Sequence, residues 1–131
     1  QKTFLLEAGL RLFIQGYLIE FKKNSVGFSD KALRDPNIVF QCLRNSAARH
    51  PDHLKIKISA LIPVDDERRI KLVKKRVNKI SKLLQKNYGI KEDVIKIEFE
   101  THPGYWKGPK DQVTVSMFYE TAIPVRSIPD H

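Results

Sequence analysis

Apolar and polar positions alternate cleanly in "HLKIKISAL", where Leu54, Ile56, Ile58 and Ala60 fall on one side and Lys55, Lys57 and Ser59 on the other. That period of two predicts a half-buried strand. "DVIKIEFE" repeats the pattern with Ile95, Ile97 and Phe99 on one face, and "QVTVSMFYE" supplies a last strand after the turn "HPGYWKGPKD". Nearer the start, "LRLFIQGYLIEF" reads as one or two strands broken near Gly16, with Tyr17, Ile19 and Phe21 alternating against Leu18 and Glu20.

Between the strands the period changes to that of a helix. From Pro36 to Arg49 the apolar positions are Ile38, Val39, Cys42, Leu43 and Ala47. Pro36 suits a first turn, and "RHPDH" stops the helix. Ser29 or Asp30 offers a cap for an earlier turn. A second, longer helix starts at Asp65 or Asp66 as cap and ends at Gly89. At about 100° per residue, Ile70, Val73, Val77, Ile80 and Leu84 share one narrow sector. That sector is expected to pack on the sheet face carrying Ile56, Ile58, Ile95 and Ile97. The order β-α-β-α-β-β implies an α/β sandwich of the α+β kind, with helices on one face of the sheet.

Composition changes the picture through charge. The chain of 131 residues suits one domain, and its formal net charge of +9 favours polyanionic partners: nucleic acid, anionic lipid or an acidic polymer. Nine basic residues and no acid lie between Arg68 and Lys86. Lys71, Lys74, Lys75, Lys79, Lys82 and Lys86 project away from the apolar stripe. Arg76 falls beside it, where its stem is expected to be partly covered. A nucleic-acid surface needs aromatic or amide side chains among the cations to stack on or read bases. Here Asn78 and Ser81 are the only short polar candidates, so the lysines are read as solvated surface and no nucleic-acid partner is expected. The single Cys42 forms no internal disulfide and is expected to be a buried, inert thiol. No apolar run is long enough to span a bilayer. Because position 1 is glutamine, the chain is read as a mature or trimmed fragment.

Candidate chemistry is sparse. His50 and His53 flank Asp52 in a loop, without a fourth ligand or a helix to space them; they are read as solvated histidines, and no metal is expected. Tyr105 and Trp106 sit at a turn, either as a contact surface or folded back over the sheet edge. There is no glycine-rich phosphate loop, no nucleophile elbow and no paired carboxylate set on opposing strands. No catalytic residue and no cofactor is assigned.

Over residues 17–120 the chain resembles the OmpA-like domain, the peptidoglycan-associating module of bacterial envelope proteins and flagellar stators. "LIEFKKNS" is similar to the family's first strand and serine-containing turn. "KRVNKISKLLQKNYGI" is similar to its second helix, with Arg76-Val77 at the Arg-Ala place and Gly89-Ile90 at its end. "DVIKIEFE" is similar to the strand that follows. The resemblance implies a mixed four-stranded sheet, a lead-in at 1–16 and a tail at 121–131. It also implies a non-enzymatic module at the periplasmic face of a Gram-negative outer membrane, with envelope or secretion-complex proteins as partners. Contact with the membrane would come only through a lipid anchor outside this chain.

In the family an aspartate closing the second strand and the helix arginine hold the carboxylate-bearing peptide of peptidoglycan. Arg76 stands at the arginine place, but Ala60-Leu61-Ile62-Pro63 replaces the aspartate segment, with acids only at Asp65 and Asp66. "KDQV" replaces the arginines that open the last strand. Two readings stay open: Asp65 fills in and the pair Arg76 and Asp65 binds peptidoglycan weakly, or Arg76 belongs to a degenerate site.

Overall fold

The elements run β1 (Leu5–Glu20), α1 (Pro36–Arg49), β2 (Leu54–Pro63), α2 (Glu67–Tyr88), β3 (Ile95–His102) and β4 (Gln112–Arg126), with a 3-10 turn at Glu92–Val94. The computed structural model describes residues 5–30, 34–103, 108 and 110–126, with the backbone alone for 5–12 and 121–126. The four strands form one mixed sheet in the order β1-β4-β2-β3. β4 pairs antiparallel with both β1 and β2, and β3 lies parallel to β2 at the edge. β1 and β4 stay paired from Glu20↔Gln112 to Leu5↔Arg126, so their ladder runs into both the expected lead-in and the expected tail.

β1 continues through Gly16, where a strand break was one expectation. Its register shifts instead between Phe13 and Gln15, a bulge centred on Ile14. A Cβ on Gly16 would lie 3.2 Å from the Phe13 ring, so glycine gives that ring room to fold along the strand. The glycine marks a close approach.

The core lies between the sheet and the two helices. From the strands come Tyr17, Ile19, Ile56, Ile58, Val113 and Val115, and Phe21 follows just after β1; α2 contributes Val73, Val77, Ile80 and Leu84, all buried. Burial of each such aliphatic side chain contributes about 1.5–3 kcal/mol. α2 is held at its ends as its sequence predicts. Asp66 Oδ1 accepts the Arg69 amide at 3.1 Å, and Gly89 adopts φ 65° at the C-cap.

Several expectations about burial need correction. Ile70, in the first turn of α2, is only half-buried. Ile95 is half-buried and Ile97 is 47% exposed, because α2 packs over β2 and leaves the edge strand partly uncovered. Cys42 is exposed, not buried. α1 buries Val39, Phe40 and Leu43, and its wheel turns toward Phe40, which packs against Phe28 and Tyr88. Phe40 lies about 100° to one side of Val39, and Cys42 and Ile38 lie about 60° and 100° to the other. The larger ring takes the core, and Ile38 is left 60% exposed. Asp35 caps α1, accepting the Asn37 amide at 3.0 Å.

Candidate functional site

The segment 22–28, after β1, closes on itself before meeting α2. Lys22 N donates to Gly27 O at 2.9 Å, Ser25 N to Lys22 O at 3.1 Å, and Gly27 N to Ser25 Oγ at 2.9 Å. Asn24 takes the left-handed conformation, φ 55°, that its short amide tolerates. This folding turns three carbonyls toward α2. Arg76 Nε donates to Ser25 O at 2.8 Å, Arg76 Nη2 to Lys22 O at 3.1 Å, and Lys79 Nζ to Val26 O at 2.6 Å. The same two cations lie over aromatic rings, Arg76 at 5.0 Å from the centre of Phe21 and Lys79 at 4.1 Å from that of Phe28. Lys79 is therefore a clip and not part of a freely solvated lysine face, and burial lowers its pKa.

Arg76 is 1% exposed, far more enclosed than a stem lying beside the stripe. Its counter-ion is Asp111, at the start of β4. Oδ1 of that carboxylate accepts from Arg76 Nη2 at 3.0 Å and from Arg69 Nη2 at 3.1 Å. Arg69 also donates to the Lys110 carbonyl. Phe21 N donates to Asp111 O at 2.8 Å, so this residue ties β1, β4 and α2 together. Burial pulls the Arg76 pKa down, and the hydrogen bond to Asp111 opposes that pull. Among the described residues Arg76 Nη1, also buried, has no hydrogen-bond partner.

Asp65 stands elsewhere. It lines an open cleft of about 450 Å³ at the ends of β2 and β3, together with Asp66, Arg69, Glu100, His102 and Lys110. A second groove of about 430 Å³ runs past Asn24, Asp66, Arg68, Arg69 and Leu72. Arg76 lines neither, so the structure does not bring Arg76 and Asp65 to a common cavity. Arg69 links the two places, touching the cleft and sharing Asp111 with Arg76.

The remaining candidates are quickly placed. His50 and His53 lie against the Tyr119 ring, with centroids 5.7 and 5.2 Å away. No group of three or more His, Cys, Asp or Glu side chains converges as a metal site among the described residues. Tyr105 and Trp106 lie outside the described residues. Sequence reasoning missed Asp111 and Arg69. The available signal was Arg69 and Arg76 seven residues apart, two helical turns on one flank, where two guanidinium groups need a shared anion.

No protein-family model matches the chain, and no curated protein matches it in sequence. Solved structures match it in fold. The OmpA-like domain of FopA1 from Francisella tularensis superposes with a TM-score of 0.57 at 12% identity, covering 90% of this chain and 86% of that one. An outer membrane protein from Borrelia burgdorferi gives 0.51 at 17% identity, covering 92% and 98%. The periplasmic domain of Helicobacter pylori MotB gives 0.50 at 14% identity, covering 80% and 74%. At these identities the likeness is one of fold: the chain has the architecture of an OmpA-like domain.

Proposed function

We propose that this chain is a non-enzymatic scaffold module of the bacterial cell envelope, an OmpA-like fold whose peptidoglycan site is degenerate. The observation that carries this reading is the state of Arg76. A guanidinium able to clamp a ligand carboxylate is instead sealed inside the domain, with Nε and Nη2 spent on Ser25 O, Lys22 O and the chain's own Asp111. The arginine that would bind the wall has become a staple of the fold. Its setting is the periplasm or the inner face of the outer membrane, in keeping with the envelope proteins whose fold it shares. Its partners are envelope or secretion-complex proteins, with Tyr105 and Trp106 as the contact candidates. The narrowest form of the reading is an OmpA-like lipoprotein of a Dot/Icm type IVB secretion system, and a lipid-modified cysteine upstream of Gln1 in the full gene product is its test.

One observation favours a working peptidoglycan site. Buried Nη1 of Arg76 lacks a partner among the described residues, and an incoming carboxylate would supply one. Co-sedimentation with purified sacculi separates the two readings. The scaffold reading expects the wild-type chain to stay in the supernatant. Sedimentation that is competed by soluble muropeptide, and lost in Asp65→Asn, would overturn it. Arg76→Ala is the wrong variant for this purpose, since it removes a structural group as well.

A further inference from the structure

We propose that the free edge of β3 is a self-association surface, joining two copies of this chain through an antiparallel β3–β3 pair. The proposal stands apart from the envelope reading and does not depend on it.

β3 is the edge of the sheet, in unbroken parallel register with β2 from Ile56↔Ile95 to Pro63↔His102. The Ile95 amide donates back to the Glu92 carbonyl, and among the described residues no loop or turn backbone hydrogen bond ends on residues 96–101. An edge of this kind is a template for another strand, and natural sheets blunt it with prolines, bulges or charges pointing to the core side. β3 has no proline between Ile95 and His102 and no bulge in its pairing. Its core-side positions are Ile95, Ile97 and Phe99, of which Ile97 is 47% exposed. The Lys74 ammonium reaches over that side, 5.9 Å from the Phe99 ring.

The sequence of the edge is complementary to itself in one register. With a two-fold axis through Ile97, Ile97 faces its own copy, Ile95 faces Phe99 of the partner subunit and Lys96 faces Glu98 of the partner subunit. Every directly opposed pair between 95 and 99 is then apolar with apolar or cation with anion. Moving the axis to Lys96 or to Glu98 sets like charges directly opposite. Placing it between residues puts the apolar side of one strand against the polar side of the other. Charge complementarity and apolar matching therefore select a second copy of this chain, in an isologous contact that closes after two subunits. Lys96 and Glu98 now hold Glu120 at 3.1 Å and Lys57 at 3.5 Å in the open, exchangeable partners for groups 45% and 51% exposed.

The test is sedimentation velocity of the full chain over a concentration series, at about 0.15 M salt where charges are screened beyond about 8 Å. Wild type should pass from monomer to dimer as concentration rises. Lys96→Glu and Glu98→Lys should each weaken the dimer at least tenfold, by placing like charges across the axis. Mixed in equal amounts, the two variants should recover association, since each supplies the charge the other lacks. Both positions are exposed, so circular dichroism should report unchanged folding. In a Cys42→Ser background, Ile97→Cys should form an intermolecular disulfide under mild oxidation, because opposed Cα atoms lie about 4.5–5.5 Å apart; Thr101→Cys should not. A wild type that stays monomeric at the highest attainable concentration overturns the proposal. So does a dimer indifferent to both charge reversals, or a mixture that fails to reassociate.

Discussion

Asp111→Ala removes a half-exposed surface carboxylate, a substitution that would ordinarily move stability by less than about 0.5 kcal/mol. The structure predicts much more. The Arg76 side chain is 1% exposed while that of Asp111 is 35% exposed, so the cost of the pair is carried by the arginine. Without the carboxylate, a guanidinium remains sealed beside Phe21 with no counter-ion, and Arg69, which shared Oδ1, becomes a like-charged neighbour. Breaking a fully buried ion pair from one side costs about 3–5 kcal/mol. Since Asp111 retains access to water, we reduce this to about 2–3 kcal/mol. For a domain of this size that corresponds to a fall in Tm of roughly 8–12 °C. Asp111→Asn, which keeps the acceptor and loses the charge, should fall between wild type and alanine. Arg76→Met is destabilising alone, since it takes the guanidinium donors from the Ser25 carbonyl and from the Lys22 carbonyl, which keeps the Ser25 amide. In the Asp111→Ala background it also removes the orphaned charge, so the double variant should be more stable than additivity predicts, by about 1 kcal/mol or more. Urea unfolding of the four proteins measures the cycle. Asp111→Ala within about 0.5 kcal/mol of wild type at unchanged m would show that the carboxylate does not neutralise Arg76, and the staple argument would fail.

Val77→Asp places an unpaired charge where Val77 is 1% exposed and should cost about 3 kcal/mol or more, whereas Lys75→Asp on the outer face should be nearly silent; equal melts for the two would mean that α2 is wrongly phased. Burial, and then the nearby Cys42 thiol, push the Tyr17 phenol above its ordinary 10.0. Its neutral form is favoured in the fold, so that contribution to stability is complete below about pH 10 and is lost as pH rises through the folded value. Alkaline absorbance titration should show a late ionisation that Tyr17→Phe removes, and simultaneous titration of all four tyrosines would contradict it. On the proposed scaffold role, Trp106→Ala should weaken assembly with the partner proteins by about 2 kcal/mol or more without altering the melt. If instead neutralising Lys71, Lys75, Lys79 and Lys82 together abolishes assembly while Trp106→Ala leaves it intact, the basic helix is the contact surface.

The fold was legible where burial follows a local period. β2 alternates because α2 covers one face along most of its length, and Val73, Val77, Ile80 and Leu84 recur because that cover is a straight helix. Legibility failed where burial depends on a neighbour far along the chain. Phe40 and Cys42 lie on opposite sides of Val39, and which side turns to the core is decided by Phe28 and Tyr88, which no window around α1 contains. Ile97 keeps the period of a buried residue yet is half in water, since sequence period gives the face of a strand and not its place in the sheet.

The site was legible only in part, for a related reason. "KDQV" at the start of β4 reads in sequence as the loss of arginines that would hold a ligand. In three dimensions Asp111 in that segment supplies a carboxylate to Arg76, 35 residues away, through the side chain that anchors the turn at 22–25 to α2. An arginine cannot be left charged and buried without an anion, whether that anion comes from a ligand or from the chain. The buried guanidinium of Arg76 and the carboxylate at the head of β4 therefore belong to one electrostatic constraint. A chain that supplies its own carboxylate to this guanidinium leaves an exogenous carboxylate only the unpartnered Nη1, which is buried. Wall binding through Arg76 would require the domain to open at the very contacts that close it.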